Sequence, residues 1–135
     1  MKRVIFNFFI IVLFALIIFT SCKDSNPLSD LDNKIIPSKN VSYSEHIQPI
    51  FDYKCNSTYC HNGIDRAGGL SLADYASTTA DYLVVAPGYP DNSSLVWAIK
   101  GISPNPMPPV GVNKPLNQNQ IDGVVTWIKE GAKNN

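Results

Sequence analysis

Apolar and polar residues divide the chain into three stretches. Residues 4–19 form an apolar run broken by one asparagine, residues 23–40 are polar, and residues 41–135 mix short apolar patterns with many loop signals. Near each end of the third stretch, apolar residues recur three and four positions apart, which is the spacing of a helix with one buried face. This pattern predicts a domain over residues 41–135 with a helix at each end and a loop-rich middle.

The first helix is predicted between Ser44, which can cap it, and Lys54. Its buried face would consist of Ile47, Ile50 and Phe51. Pro49 lies inside this segment and favours either a kink or a start at Gln48, because proline lacks the donor that a helix interior needs.

The last helix is predicted to begin at a cap provided by Asn117 or Asn119 and to end at Gly131. Its apolar face would consist of Ile121, Val124, Val125 and Ile128. Between the two helices, residues 93–99 carry a short helical pattern and most of the remainder is loop. Since a domain of about 95 residues is small for a purely apolar core, a large bound cofactor would supply what the loop-rich middle lacks.

The N-terminus has the pattern of a secretory signal. Lys2 and Arg3 precede the apolar run, which is short for the roughly 20 residues of a membrane-spanning helix. Two small residues then precede Cys22, an order that resembles the lipobox at which bacterial lipoproteins are cleaved and lipidated. We therefore predict a signal peptide over residues 1–21 and a lipid on Cys22. The alternatives are a single membrane span and a secreted protein with a free Cys22.

Residues 22–40 are predicted to form a flexible, lipidated tether, because they are polar and contain two prolines. A random coil of this length spans about 25 Å on average, which would hold the domain just off a membrane. The alternative is an arm that packs on the domain through Ile35 and Ile36.

The charge of the chain excludes one class of function. Its 11 basic and 11 acidic residues balance, and removal of Lys2 and Arg3 with the signal leaves 9 basic against 11 acidic residues, a net charge of about −2. Nucleic-acid binding needs a basic patch, so no nucleic-acid partner is expected. The sequence also has no phosphate-binding loop, catalytic triad or paired carboxylates, and we predict that it is not an enzyme.

The chemistry of the domain centres on the segment KCNSTYCHNG at residues 54–63. Haem c is joined to protein by thioethers from two cysteines, and the histidine directly after the second cysteine binds the iron. Cys60 and His61 have this adjacency, whereas Cys55 is separated from Cys60 by four residues instead of the familiar two. Asn, Ser and Thr tolerate the resulting bulge, so the segment is compatible with a haem site.

Two other interpretations of this segment stay open. His46 could join Cys55, Cys60 and His61 in a zinc or copper site, although adjacent residues seldom bind one tetrahedral ion together. In an oxidising compartment, Cys55 and Cys60 could instead form a disulfide, which would make the domain a structural or binding module.

Met107 is the candidate for a second iron ligand. It is the one methionine that remains after removal of the signal, and it lies within Pro106-Met107-Pro108-Pro109. The flanking prolines stiffen the loop, which suits the presentation of a single thioether. Methionine and histidine together fill both axial positions of a haem and favour electron transfer over oxygen chemistry. His46 is the alternative distal ligand.

Three parts of the chain, in order, resemble a small c-type cytochrome domain. They are residues 47–51 leading into Cys55 and Cys60-His61; residues 68–72 with 87–90 and Ser94-Leu95; and Met107-Pro108-Pro109 with Leu116, Gln120-Ile121, Trp127-Ile128 and Gly131-Ala132. The resemblance is to class I-like cytochrome c domains of bacterial envelope proteins, including the planctomycete-type group. It implies an all-α, cytochrome c-like fold, with N- and C-terminal helices packed across each other and a loop-rich middle wrapped around a haem.

The resemblance also implies roles for individual residues. Cys55 and Cys60 would bind haem c covalently, His61 would be the proximal iron ligand and Met107 the distal one. The expected function is that of a monohaem c-type cytochrome, a one-electron carrier for redox protein partners. A lipid on Cys22 would anchor it to the membrane on the extracytoplasmic side of the cell envelope, on the periplasmic side or at the outer membrane. The alternative is a non-haem surface lipoprotein with a Cys55–Cys60 disulfide.

Overall fold

The structure is a computed structural model that describes residues 26–135. Within this range about 43% of the residues are helical and none lies in a β-strand, which confirms the all-α prediction. None of the helices in this range is long and apolar enough to cross a membrane. The predicted signal peptide and Cys22 lie outside the described residues.

The described range contains five α-helices connected largely by irregular segments. They are α1 (Pro27–Asn33), α2 (Gln48–Lys54), α3 (Tyr75–Thr78), α4 (Ser94–Ile99) and α5 (Gln118–Lys129). A π-helical turn, Tyr43–Ile47, runs directly into α2, and 3₁₀ turns occupy Ala67–Gly69 and Pro90–Asn92. Between α2 and α5 the helices are short, as the weak apolar periodicity predicts.

The segment that leads into α2 begins earlier than predicted. Ser42, rather than Ser44, provides the cap, because its Oγ accepts a hydrogen bond from the Glu45 backbone N–H at 3.2 Å. Pro49 lies in the first turn of α2, where its missing donor would have no helical partner in any case. The predicted start at Gln48 is therefore correct, and the residues before it form the π-helical turn.

Of the two caps that the sequence predicts for α5, Asn117 and Asn119, the structure has Asn117. Its side chain accepts a hydrogen bond from the Gln120 backbone N–H at 2.9 Å, and the Gln120 side chain accepts one from the Asn117 N–H at 3.0 Å. This reciprocal pair satisfies two donors that a helix start leaves free. Gly131 follows the helix with φ of 99°, a conformation in which glycine avoids the strain of a side chain.

The core lies where the π-helical turn, α2 and α5 meet. Its fully buried side chains include Ile47, Ile50, Phe51, Val124, Trp127 and Ile128. The ring centroids of Tyr43 and Trp127 are 5.2 Å apart, so the start of the predicted domain contacts its last helix. A cytochrome-like crossing of the two helices stays a prediction.

Residues 27–36 differ from the flexible tether that the sequence predicts. Part of this segment is the helix α1, and Ile36 beyond it is only 5% exposed. The Ile36 backbone N–H donates to Asn119 Oδ1 at 2.8 Å, and Asn119 Nδ2 donates to the Ile36 carbonyl at 3.1 Å. The alternative of a packed arm is therefore right for these residues, through Ile36, whereas Ile35 is exposed. The prediction of a flexible tether was wrong for residues 27–36. It rested on the polar composition of the segment, and composition does not show which single residues are buried.

Gly123 of α5 makes room for this arm. A Cβ atom at Gly123 would lie 2.8 Å from Ile36 Cγ2 and 2.9 Å from Ile36 Cδ1, closer than an ordinary contact. We expect Gly123→Ala to lower the free energy of unfolding. Overpacking destabilises a core by about 1–3 kcal/mol, which exceeds the stabilisation of about 1 kcal/mol that alanine gains over glycine in helix propensity. Denaturant unfolding measures the change, with the exposed neighbour Asp122→Ala as control. A variant as stable as the wild type, with an arm equally resistant to protease, would contradict the expected clash.

Candidate functional site

One apolar cleft brings together the site residues that the sequence predicts. Cys55, Cys60, His61 and Met107 all line it. The cleft is open on one side and has a cavity volume of about 110 Å³, which is smaller than that of a fully enclosed cofactor site. Much of the remaining wall is apolar and includes Ala67, Ile99, Pro108, Pro109, Val112 and Leu116. The apolar wall suits an apolar cofactor that extends beyond the mouth of the cleft.

Cys55 lies at the C-terminal end of α2, where its N–H donates to the Phe51 carbonyl at 2.9 Å. Burial of the thiol, and then the neighbouring Cys60, raise the pKa of Cys55 to about 12. The thiol is therefore neutral at pH 7, and exchange with disulfides, which requires the thiolate, is slow. Both Cys55 and Cys60 are free thiols in the structure, so the disulfide interpretation gains no support from it.

The four residues between the cysteines form a braced loop. Tyr59 has φ of 66°, a left-handed conformation that lets the chain bulge. Asp65 Oδ2 accepts hydrogen bonds from the Tyr59 N–H and from Asn62 Nδ2, both at 2.7 Å, and these bonds, that of Asn62 first, lower the pKa of Asp65. Asn62 Nδ2 also donates to the Ser57 carbonyl at 3.1 Å. A folded loop thus accommodates the long spacing and leaves both cysteines on the cleft.

The imidazole of His61 is oriented by the backbone of the following loop. Its Nδ1 lies 3.4 Å from the Leu70 carbonyl oxygen. Because a carbonyl can only accept a hydrogen bond, this contact favours the tautomer with the proton on Nδ1. The lone pair of Nε2 is then free for a metal, which is the usual arrangement of a histidine ligand with a backbone partner. The His61 N–H donates to the Cys55 carbonyl at 3.0 Å, so the ligand and the first cysteine are tied together.

Met107 reaches the cleft from a loop that α4 holds in place. Its N–H donates to the Ala98 carbonyl of α4 at 2.9 Å. The next residue of that helix, Ile99, lines the same cleft. The thioether is half-buried, next to Pro108 and Pro109. The proline-rich loop therefore presents Met107 on the surface that also carries the motif residues.

The metal-cluster interpretation finds no support among residues 26–135. No group of three or more His, Cys, Asp and Glu side chains within that range is placed to hold a metal ion. His46 lies in the π-helical turn, where its Nδ1 accepts a hydrogen bond from the Ser42 N–H at 3.0 Å, and it is not part of the cleft. His46 is therefore poorly placed to serve as either a zinc ligand or a distal haem ligand.

Sequence reasoning missed a buried lysine in the cleft wall. Lys54 directly precedes Cys55, its side chain is 1% exposed, and its Nζ lies 2.7 Å from Asp32 Oδ1. One signal was available, because Lys54 continues the helical spacing of Ile47 and Ile50 on the buried face of α2. Its partner in the N-terminal arm left no local signal.

One apolar cleft of this all-α domain carries two thiols, a histidine directly after the second thiol, and a thioether. These are the donor groups of a c-type cytochrome. Comparison with protein families supports this class. The family model described as Planctomycete cytochrome C matches residues 58–111, and the match supports a planctomycete-type cytochrome c domain in this chain. The matched range contains Cys60, His61 and Met107 and begins after Cys55. Comparison with curated proteins and with solved structures gives no match.

Proposed function

We propose that this chain is a monohaem c-type cytochrome that carries single electrons and is anchored to the cell envelope. The observation that carries the proposal is that Cys55, Cys60, His61 and Met107 line one apolar cleft. The family match over residues 58–111 supports it independently. The apolar wall is suited to contact a haem, and the four side chains provide every protein group that haem c requires.

Each of the four residues has a distinct part in this proposal. Cys55 and Cys60 would hold the cofactor covalently through thioethers, and His61 and Met107 would bind its iron. When bound, haem supplies a one-electron couple, while the protein sets its potential through ligand type and burial. A thioether ligand raises that potential, and two filled axial positions leave no site for oxygen or a substrate. This ligand set supports the proposal of an electron carrier rather than an enzyme.

The proposed location follows from the N-terminal sequence. After cleavage of residues 1–21, a lipid on Cys22 would hold the domain on the extracytoplasmic side of a membrane, on the periplasmic side or at the outer membrane. Its partners would be redox proteins of the envelope. The charge of about −2 after cleavage, from 9 basic and 11 acidic residues, offers nucleic acid no basic surface.

Covalent haem is the decisive test. Produced together with a cytochrome c maturation system, the wild-type chain is expected to retain haem after denaturation and solvent extraction, with the pyridine-adduct spectrum of a thioether-linked haem. Cys55→Ala should keep haem through Cys60, with an absorption band at longer wavelength because one vinyl group stays conjugated with the ring. Cys55→Ala/Cys60→Ala should keep no covalent haem.

The controls decide between the proposal and its alternative. A second c-type cytochrome, produced in the same cells, shows that the maturation system works. If that control is loaded and the wild-type chain is not, the proposal is wrong. A Cys55–Cys60 disulfide, found by mass spectrometry in the haem-free chain, would then identify the non-haem surface lipoprotein.

A further inference from the structure

A buried ion pair connects the N-terminal arm to the wall of the cleft. Lys54 lines the cleft, and its Nζ contacts Asp32 Oδ1 at 2.7 Å and donates to the Pro115 carbonyl at 3.1 Å. Asp32 belongs to α1, in the arm. A buried ammonium group without a counter-charge is strongly unfavourable, so the arm supplies the anion that lets Lys54 stay in this wall.

Asp32 has partners on several sides. Its Oδ2 accepts a hydrogen bond from Lys114 Nζ at 2.6 Å, and its Oδ1 accepts one from Gln120 Nε2 at 3.3 Å. Asn117 Nδ2 donates to the Asp32 carbonyl at 3.0 Å. These contacts hold the carboxylate between α2 and the start of α5. Lys114 is largely exposed, so solvent screens its charge. Lys54 is buried, and its charge is therefore the one that Asp32 chiefly offsets.

We propose that Asp32 is a positioning residue of the haem site, which holds the buried Lys54 ammonium behind the cleft wall and offsets its charge. The proposal rests on the haem binding proposed above. Reduction adds one negative charge to the iron centre, and an uncompensated cation buried behind the cleft wall would stabilise the reduced state. The folded arm therefore lowers the reduction potential of the cofactor. The N-terminal arm is, on this proposal, part of the redox site.

Redox titration of the haem-loaded protein tests this role. Asp32→Asn is expected to raise the midpoint potential by about 59 mV, which is a tenfold change in the ratio of reduced to oxidised protein for one electron. Lys54→Met, which removes the cation, should lower the potential by a comparable amount. Asp32→Glu keeps the charge and should restore the wild-type value. Asp30→Asn, an exposed carboxylate of the same helix, is the matched control and should leave the potential unchanged.

A double variant guards against loss of folding. If Asp32→Asn does not accumulate as folded protein, Lys54→Met and Asp32→Asn/Lys54→Met carry the test, because replacing both partners avoids a buried unpaired charge. The double variant is expected to have a potential close to that of the wild type. Unchanged potentials in folded Asp32→Asn or Lys54→Met, at full haem content, would overturn the proposal. Failure of the proposed function is recognised separately, because the wild-type chain would then give no pyridine haem spectrum.

Discussion

Trp127→Ala is expected to lower the free energy of unfolding by about 3–5 kcal/mol, a large part of the roughly 5–15 kcal/mol of a small domain. Trp127 is fully buried on α5, and its ring lies 5.2 Å from that of Tyr43. Its Nε1 donates to the Lys133 carbonyl at 2.9 Å. The substitution therefore opens a cavity where the two ends of the domain meet. It also removes the hydrogen bond that Trp127 donates to the Lys133 carbonyl. Denaturant unfolding, followed by circular dichroism, measures the loss.

The other tryptophan is the matched control. Trp97 is 43% exposed, and its Nε1 donates to the Asp91 carbonyl at 2.8 Å. Trp97→Ala removes the same atoms and a similar hydrogen bond, but little buried apolar surface, so we expect a loss of about 1 kcal/mol. Equal losses in the two variants would show that Trp127 is not the centre of the core.

Met107→Leu is expected to abolish the weak near-infrared absorption of a methionine–iron bond in the oxidised, haem-loaded protein. It should also lower the midpoint potential by more than about 59 mV, the tenfold step for one electron, because the thioether ligand favours the reduced iron. Leucine keeps the volume of the side chain, so the cleft wall is preserved. The chain offers no second methionine after removal of Met1.

A second substitution separates ligation from packing. Met107→His should again give an iron with two protein ligands, without the near-infrared band and with a lower potential than the wild type. His46 is not expected to replace Met107, because the Ser42 N–H holds its Nδ1 within the π-helical turn. If Met107→Leu keeps the wild-type near-infrared spectrum, the distal assignment is wrong.

The parts of the fold that the sequence predicts correctly are those with a local cause. The start of α2 follows from Pro49, and the start of α5 follows from the Asn117–Gln120 capping pair. The flexible tether was predicted for the arm because its composition is polar, whereas the burial of Leu31 and Ile36 depends on the rest of the fold, including the close approach of Ile36 to Gly123 of α5. Contacts of this kind join residues that are far apart in the sequence, so the composition of the arm does not reveal them.

The candidate site also combines features that the local sequence predicts with features that depend on long-range contacts. The adjacency of Cys60 and His61 predicts a haem motif directly, and Met107 follows from the count of methionines. Their convergence on one cleft with Cys55 depends on the tertiary structure. The brace that Asp65 provides to the Tyr59 turn, and the pairing of Asp32 with Lys54, are long-range or loop-specific contacts that composition does not encode.

The packed arm also changes the distance between the domain and its proposed lipid. Helix α1 begins at Pro27, so residues 23–26 alone separate it from Cys22. Four residues reach at most about 14 Å, whereas the 18 residues of a fully flexible tether would reach at most about 65 Å. With a lipid on Cys22, the domain would therefore rest against the bilayer instead of ranging through the space above it. If the chain is the lipid-anchored electron carrier proposed above, electron exchange would become a lateral encounter, restricted to partners whose redox centres lie close to the lipid surface.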